Sequence, residues 1–160
     1  MPLHVYFVQG TFILMGLALL IAAGSNRSEG SSFWGKPTIN QGLFYTGKIA
    51  LFSSWGIFLY KSITFQQPGY DVPPAFSWMA VLLLILGTII LVLSIYALGK
   101  SLKVGLPDED TKLKTGGLYR FSRNPLYVGV FMVCIASCLY YPNPVNIGLA
   151  LYGIFVHVKI

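Results

Sequence analysis

A chain of 160 residues has the length of one domain, but with 55% apolar and 10% charged residues it does not have the composition of a soluble one. The net charge of +6 would suit nucleic acid if the cations formed a soluble basic face. They fall instead between apolar runs, which excludes a nucleic-acid partner and makes the charge a matter of membrane topology.

An all-α, polytopic integral membrane fold follows, with about five transmembrane helices in a single domain over 1–160. Three spans are expected within 1–99, then a charged loop and a helical hairpin within 100–160. Leu3 to Ala23 has no formal charge and forms the first span; no Lys or Arg precedes it, as the start of a cleaved leader requires. Gly24 to Asn40 reads as a loop rich in Ser and Gly, carrying Arg27, Glu29 and Lys36. Gln41 to Phe65 is the second span, and Lys48 inside it is expected to snorkel to the interface. Trp34, Phe44 and Tyr45 are placed at one interface, Tyr60, Tyr70 and Trp78 at the other.

Pro68, Pro73 and Pro74 resist helix and mark Gln66 to Pro74 as a connection. The third span, Ala75 to Leu98, is the most apolar part of the chain, and its Gly87 allows close helix packing. Pro125 to Tyr140 forms a fourth helix and Pro144 to Ile160 a fifth, joined by a sharp break at Tyr141 to Pro144 into a hairpin. The fifth span is close to the lower limit for a crossing, so further chain is expected after Ile160 in the natural protein. Cys134 and Cys138 lie in one apolar helical run and read as packing material, and His4 and His157, near span ends, as structural residues. No cluster of Cys, His or carboxylate has the spacing of metal ligands.

The cations set the orientation. Lys100, Lys103, Lys112, Lys114, Arg120 and Arg123 crowd the loop before the fourth helix, and Arg27 and Lys36 lie in the loop before the second, whereas Lys61 alone flanks the connection between them. The positive-inside rule then places the N-terminus outside and the C-terminus in the cytoplasm. A bacterial inner membrane is the expected location.

The stretch from Lys112 to Gly129 organises the rest. It is a polar, glycine-containing elbow between two apolar blocks, and it ends in residues that start a helix: Asn124 is suited to cap free amides, and Pro125 suits the first helical position. The positive end of that helix dipole falls within a few residues of Arg120 and Arg123, so an anion should be attracted there. Gly116 and Gly117 let backbone come close to a ligand.

Leu113-x-Thr-Gly-Gly-Leu-Tyr-x-x-x-Arg-Asn-Pro-x-Tyr-x-Gly129 resembles the hallmark of the isoprenylcysteine carboxyl methyltransferase family and its bacterial and phospholipid-methylating relatives. Asn143-Pro144 matches the Asn-Pro that breaks that family's last hairpin, and the similarity runs from about Leu98 to Ile160. The resemblance implies an integral membrane enzyme that moves a methyl group from S-adenosylmethionine to a lipid-like or prenylated acceptor at the cytoplasmic face. It implies a cofactor site from Thr111, Lys112, Leu113 and Lys114, then Gly117 and Tyr119, then Asn124, Pro125, Leu126 and Tyr127. Arg123 and Asn124 are the residues it marks for catalysis, and in many relatives His stands in place of Asn124. Family members continue past the hairpin with a Glu-Glu pair and Phe-Gly-x-x-Tyr-x-x-Tyr, which this sequence does not contain.

The chemistry agrees with how few catalytic groups are visible. A sulfonium is already electrophilic, so methyl transfer needs an aligned nucleophile more than acid or base, and the faces of Tyr119 and Tyr127 suit a sulfonium or an adenine. Arg120 and Arg123 suit a carboxylate or a lipid phosphate. Two other readings stay open: an NADPH-dependent reductase of sterol or steroid type, for which Lys100, Lys103, Lys112 and Lys114 would serve the dinucleotide phosphate, and a membrane scaffold without catalysis. The acceptor itself is left open among prenylated cysteine, phospholipid amine, isoprenoid and thiol.

Overall fold

A computed structural model describes residues 2–28, 40–64, 72–98, 116–122 and 124–159, and among these the chain is helical without a strand. Five α-helices follow in order: α1 (Leu3–Ser28), α2 (Gln41–Thr64), α3 (Pro74–Leu98), α4 (Pro125–Tyr140) and α5 (Pro144–Lys159). A 3₁₀ turn over Gly117–Arg120 precedes α4. The expected elements are all present, with one difference at α1, which continues to Ser28 through the stretch expected to begin a loop at Gly24. A single glycine costs only about 1 kcal/mol in a helix, and no proline follows it before Ser28, so the helix outlasts its apolar part.

Helix starts follow the local chemistry. Pro occupies the first position of α3, α4 and α5, where its missing amide hydrogen is not needed. Asn40 caps α2 by accepting the Gly42 amide at 2.9 Å, and Asn143 caps α5 by accepting the Val145 amide at 3.0 Å. α1 and α3 are long and apolar enough to cross a membrane, over Leu3–Ala22 and Pro74–Leu98. α2 is 24 residues long and carries Lys48 and Lys61, while α4 and α5 are apolar helices of 16 residues each.

The contacts fix the direction of every helix. Gln9 of α1 reaches the Ser62 carbonyl near the end of α2, and His4 of α1 meets Trp78 at the start of α3. Gly87 and Leu91 of α3 meet Gly129 near the start of α4, and Leu51 of α2 meets Gly153 of α5. Successive helices therefore alternate in direction. One end of the bundle gathers the start of α2 and α4 with the ends of α3 and α5; the other holds the α4–α5 turn. Val8, Met15, Leu51, Trp55, Phe58, Leu84, Leu91 and Val133 form the core between them.

Two features hold the hairpin in place. α3 and α4 touch backbone to backbone: a Cβ on Gly129 would stand 2.7 Å from the Gly87 carbonyl oxygen and 2.9 Å from the Leu91 nitrogen. Gly87 thus packs closely, as expected, and the glycine of the Tyr-x-Gly motif is its partner. On the other side a fully buried polar knot joins α2, α4 and α5. Ser54 donates to Asn146 Oδ1 at 2.9 Å, Ser137 donates to the Ser54 carbonyl at 2.8 Å, and Asn146 Nδ2 donates to the carbonyls of Ser137 and Tyr141 at 3.1 and 3.0 Å. Asn146 thereby satisfies carbonyls at the end of α4, where the helix itself offers no further amides.

Phe44, expected at an interface, is instead buried at 2% exposure. Its neighbour Tyr45, with Tyr60 and Trp78, is exposed as an interfacial residue should be, while Trp34 and Tyr70 lie outside the described residues. Cys134 and Cys138 are free thiols in the packing, and Cys134 Sγ accepts the Trp55 indole N–H at 3.2 Å.

Candidate functional site

The turn before α4 is built on glycine. Gly116 is extended, whereas Gly117 has φ +63, a left-handed conformation that costs other residues about 1–2 kcal/mol. That reversal lets Tyr119 donate its amide to the Gly116 carbonyl at 3.3 Å, and Phe121 and Ser122 both donate to Leu118 at 3.1 and 3.2 Å. The turn packs against α3. Arg120 faces outward, and Phe121 is 88% exposed beside it, an arrangement suited to a membrane interface.

Tyr119 is the singular residue of this turn. Its hydroxyl is buried and has no hydrogen-bond partner among the described residues. Burial pushes the phenol above its ordinary pKa, so at neutral pH it holds its proton and stands as a donor that meets no acceptor among the described residues.

Asn124 precedes α4 with φ −144, and its side chain caps no amide. The expected cap is therefore corrected: the Asn124 amide donates to Ser122 Oγ at 3.3 Å, and the exposed side chain makes no hydrogen bond among the described residues. Asn143, before Pro144, performs the role Asn124 was expected to perform. Pro125 is buried at the first helical position, and Leu126 packs on the core. Tyr127 stacks on Phe131 at a centroid distance of 6.0 Å and meets the edge of His157 at 5.4 Å.

Of the residues marked for the cofactor, Gly117, Tyr119, Asn124, Pro125, Leu126 and Tyr127 are thus gathered in one turn and the first turn of one helix. Thr111, Lys112, Leu113, Lys114 and Arg123 lie outside the described residues. Among the described residues no group of three His, Cys, Asp or Glu could hold a metal ion.

Two residues at this end escaped the motif. His157, 5% exposed, comes from the last turn of α5 and is fixed by its Nδ1, which donates to the Gly153 carbonyl at 2.8 Å. Lys48, half-buried on α2, holds its ammonium 4.1 Å from the centre of the buried Phe44 ring. Sequence spacing carries no signal for this meeting, because it depends on how α2 and α5 cross.

No curated protein and no solved structure matches the chain. A family model described as phospholipid methyltransferase matches residues 76–160, more than half of the chain and the whole of α4, α5 and the glycine turn. By this match the chain belongs to the phospholipid methyltransferase family, the membrane methyltransferases that include the isoprenylcysteine carboxyl methyltransferase-like proteins.

Proposed function

We propose that the chain is an integral membrane methyltransferase that uses S-adenosylmethionine to methylate a lipid-like or prenylated acceptor at the cytoplasmic face of the membrane, its five helices crossing with the N-terminus outside. The observation that carries this reading is the hydroxyl of Tyr119, buried and without a hydrogen-bond partner among the described residues, in a glycine turn just before α4.

The residues present suit this cofactor. Tyr119 offers a hydroxyl donor and an aromatic face, Asn124 an uncommitted amide with both donor and acceptor atoms, and Gly117 a backbone without a Cβ in the way. The cofactor supplies an activated methyl group on a sulfonium. The chain's part is to orient and to exclude water: Tyr119 and Asn124 fix position by hydrogen bonds, Tyr127 adds an aromatic wall worth about 0.5–2 kcal/mol toward a cation, and the apolar helices bring the acceptor in laterally.

Calorimetry on the purified chain in detergent tests the reading. S-adenosylhomocysteine should bind, and substitution of Tyr119 or Asn124 should weaken it. Binding of NADPH with no response to S-adenosylhomocysteine would instead make the chain a reductase-like protein, and loss of stability without any ligand binding would make it a scaffold.

A further inference from the structure

His157 lies in the last turn of α5, yet the fold brings it to the first turn of α4. Its ring meets the edge of Tyr127, with centroids 5.4 Å apart. From the other side α2 closes over it: a Cβ on Gly47 would stand 3.4 Å from His157 Cε1 and 2.5 Å from Val156 Cγ1. A ring held between a tyrosine and a helix backbone, at 5% exposure, has little freedom to turn. The orientation it keeps is chemically definite. A carbonyl only accepts, so the 2.8 Å contact with Gly153 puts the proton of the neutral ring on Nδ1 and leaves the lone pair on Nε2.

That lone pair is unused. Nε2 of His157 makes no hydrogen bond among the described residues, and it is not one of the sealed polar atoms, which are His4 Nε2 and the Tyr119 hydroxyl. It therefore keeps a narrow opening at the level of Tyr127. The arrangement has the parts of a general base: a fixed ring, one nitrogen tied to a carbonyl, and a free basic atom beside a residue marked for the cofactor. The titratable groups that face it are Tyr127 from α4 and Lys48 from α2, with Lys159 on its own helix. Among the described residues there is no carboxylate to take a proton in its place.

We propose that His157 Nε2 takes the proton of the methyl acceptor, whose attacking atom must then carry hydrogen, as in an amphiphilic thiol or amine and not in a carboxylate. This rests on the methyltransferase reading and narrows it. The S–H or N–H bond of the acceptor breaks, its electron pair serves the new bond to the methyl carbon, and the proton goes to Nε2. The bond from the methyl carbon to the sulfonium sulfur breaks with its pair left on sulfur. The imidazolium then gives its proton to water.

The full chain in detergent, given S-adenosylmethionine with dodecanethiol, dodecylamine or dodecanoate, tests the step by mass spectrometry of the methylated products. His157→Gln should slow the thiol or the amine about a hundredfold at neutral pH with KM and S-adenosylhomocysteine affinity unchanged, and whichever of the two turns over names the acceptor class. The native rate should fall as acid protonates Nε2, and the deficit of His157→Gln should shrink as alkali ionises the acceptor unaided. Dodecanoate has no proton to give, so any ester it forms should be indifferent to the change, and His4→Gln should alter nothing. Nitrogen-15 spectra of the ligand-free chain, which has two histidines, should show His157 protonated on Nδ1 and bare on Nε2. The opposite tautomer, equal losses for all three probes, or no transfer to thiol or amine while S-adenosylhomocysteine binds would overturn the proposal. A native chain that does not bind S-adenosylhomocysteine at all would remove the methyltransferase reading first, and this step with it.

Discussion

A tyrosine hydroxyl sealed from water without a partner is an energetic liability unless something else meets it, and among the described residues Tyr119 is in that position. An unsatisfied buried polar group costs about 1–3 kcal/mol, so Tyr119→Phe should leave the ligand-free protein as stable or more so in thermal melts. The same change should weaken S-adenosylhomocysteine by about tenfold in calorimetry, the scale of one lost hydrogen bond. A loss of both together would mean that the ring packs and the hydroxyl does nothing. Burial also raises the phenol's pKa, and the sign of its effect on stability follows. The unfolded chain loses this proton near pH ~10 while the folded chain still holds it, so the contribution is intact below that pH and is lost as pH rises through the folded value. Denaturation midpoints should fall more steeply there for the native sequence than for Tyr119→Phe. Tyr119 was legible in the sequence because a motif names it. The failure of Asn124 to cap was not: Asn124-Pro125 and Asn143-Pro144 are the same dipeptide, and only the backbone geometry decides which side chain turns back onto its helix.

The hairpin of α4 and α5 shows how much of an element's placement depends on residues that look ordinary in the chain. Asn146 is one polar residue in an apolar run, yet its amide holds the end of α4 and the middle of α2 at once. Replacing it by Ala leaves buried donors and carbonyls unpaired on both helices, a loss of about 1–3 kcal/mol; reversible unfolding in detergent should show it. A Ser54→Ala, Asn146→Ala pair should lose less than the sum of the single changes, because they share one bond. The α3–α4 crossing is set by size instead. Gly129→Ala forces a Cβ against the Gly87 carbonyl and should cost about 1–3 kcal/mol as overpacking, whereas Gly116→Ala meets nothing within 4 Å and should be nearly neutral. Gly87 announced itself by standing alone in an apolar span. The polar knot did not, since its partners lie far apart in sequence and only the antiparallel packing of α2 on α5 brings them together.

At the scale of the molecule, length decides where the site sits relative to the membrane. α4 and α5 have 16 residues each, about 24 Å at 1.5 Å per residue, against a hydrocarbon core of about 30 Å. If the Tyr141–Asn143 turn lies at one interface, the start of α4 ends below the other, and the glycine turn sits at headgroup level with Phe121 as its anchor. A lipid acceptor would then meet Tyr119 without leaving the membrane. The alternating helix directions were readable from five apolar runs and the prolines between them; the sidedness is proposed from the cations alone. Cysteines placed at Gly116 and Asn143 check both, because each site is near an end of α4; Gly116 has open space for a side chain, and Asn143→Cys gives up only the cap on the Val145 amide. A membrane-impermeant maleimide should label Asn143→Cys from outside the cell and Gly116→Cys only in inverted vesicles, while the packed Cys134 stays unlabelled in both. Labelling of both sites from one side would mean that α4 does not cross, and would remove the membrane-level placement on which lateral entry of the acceptor depends.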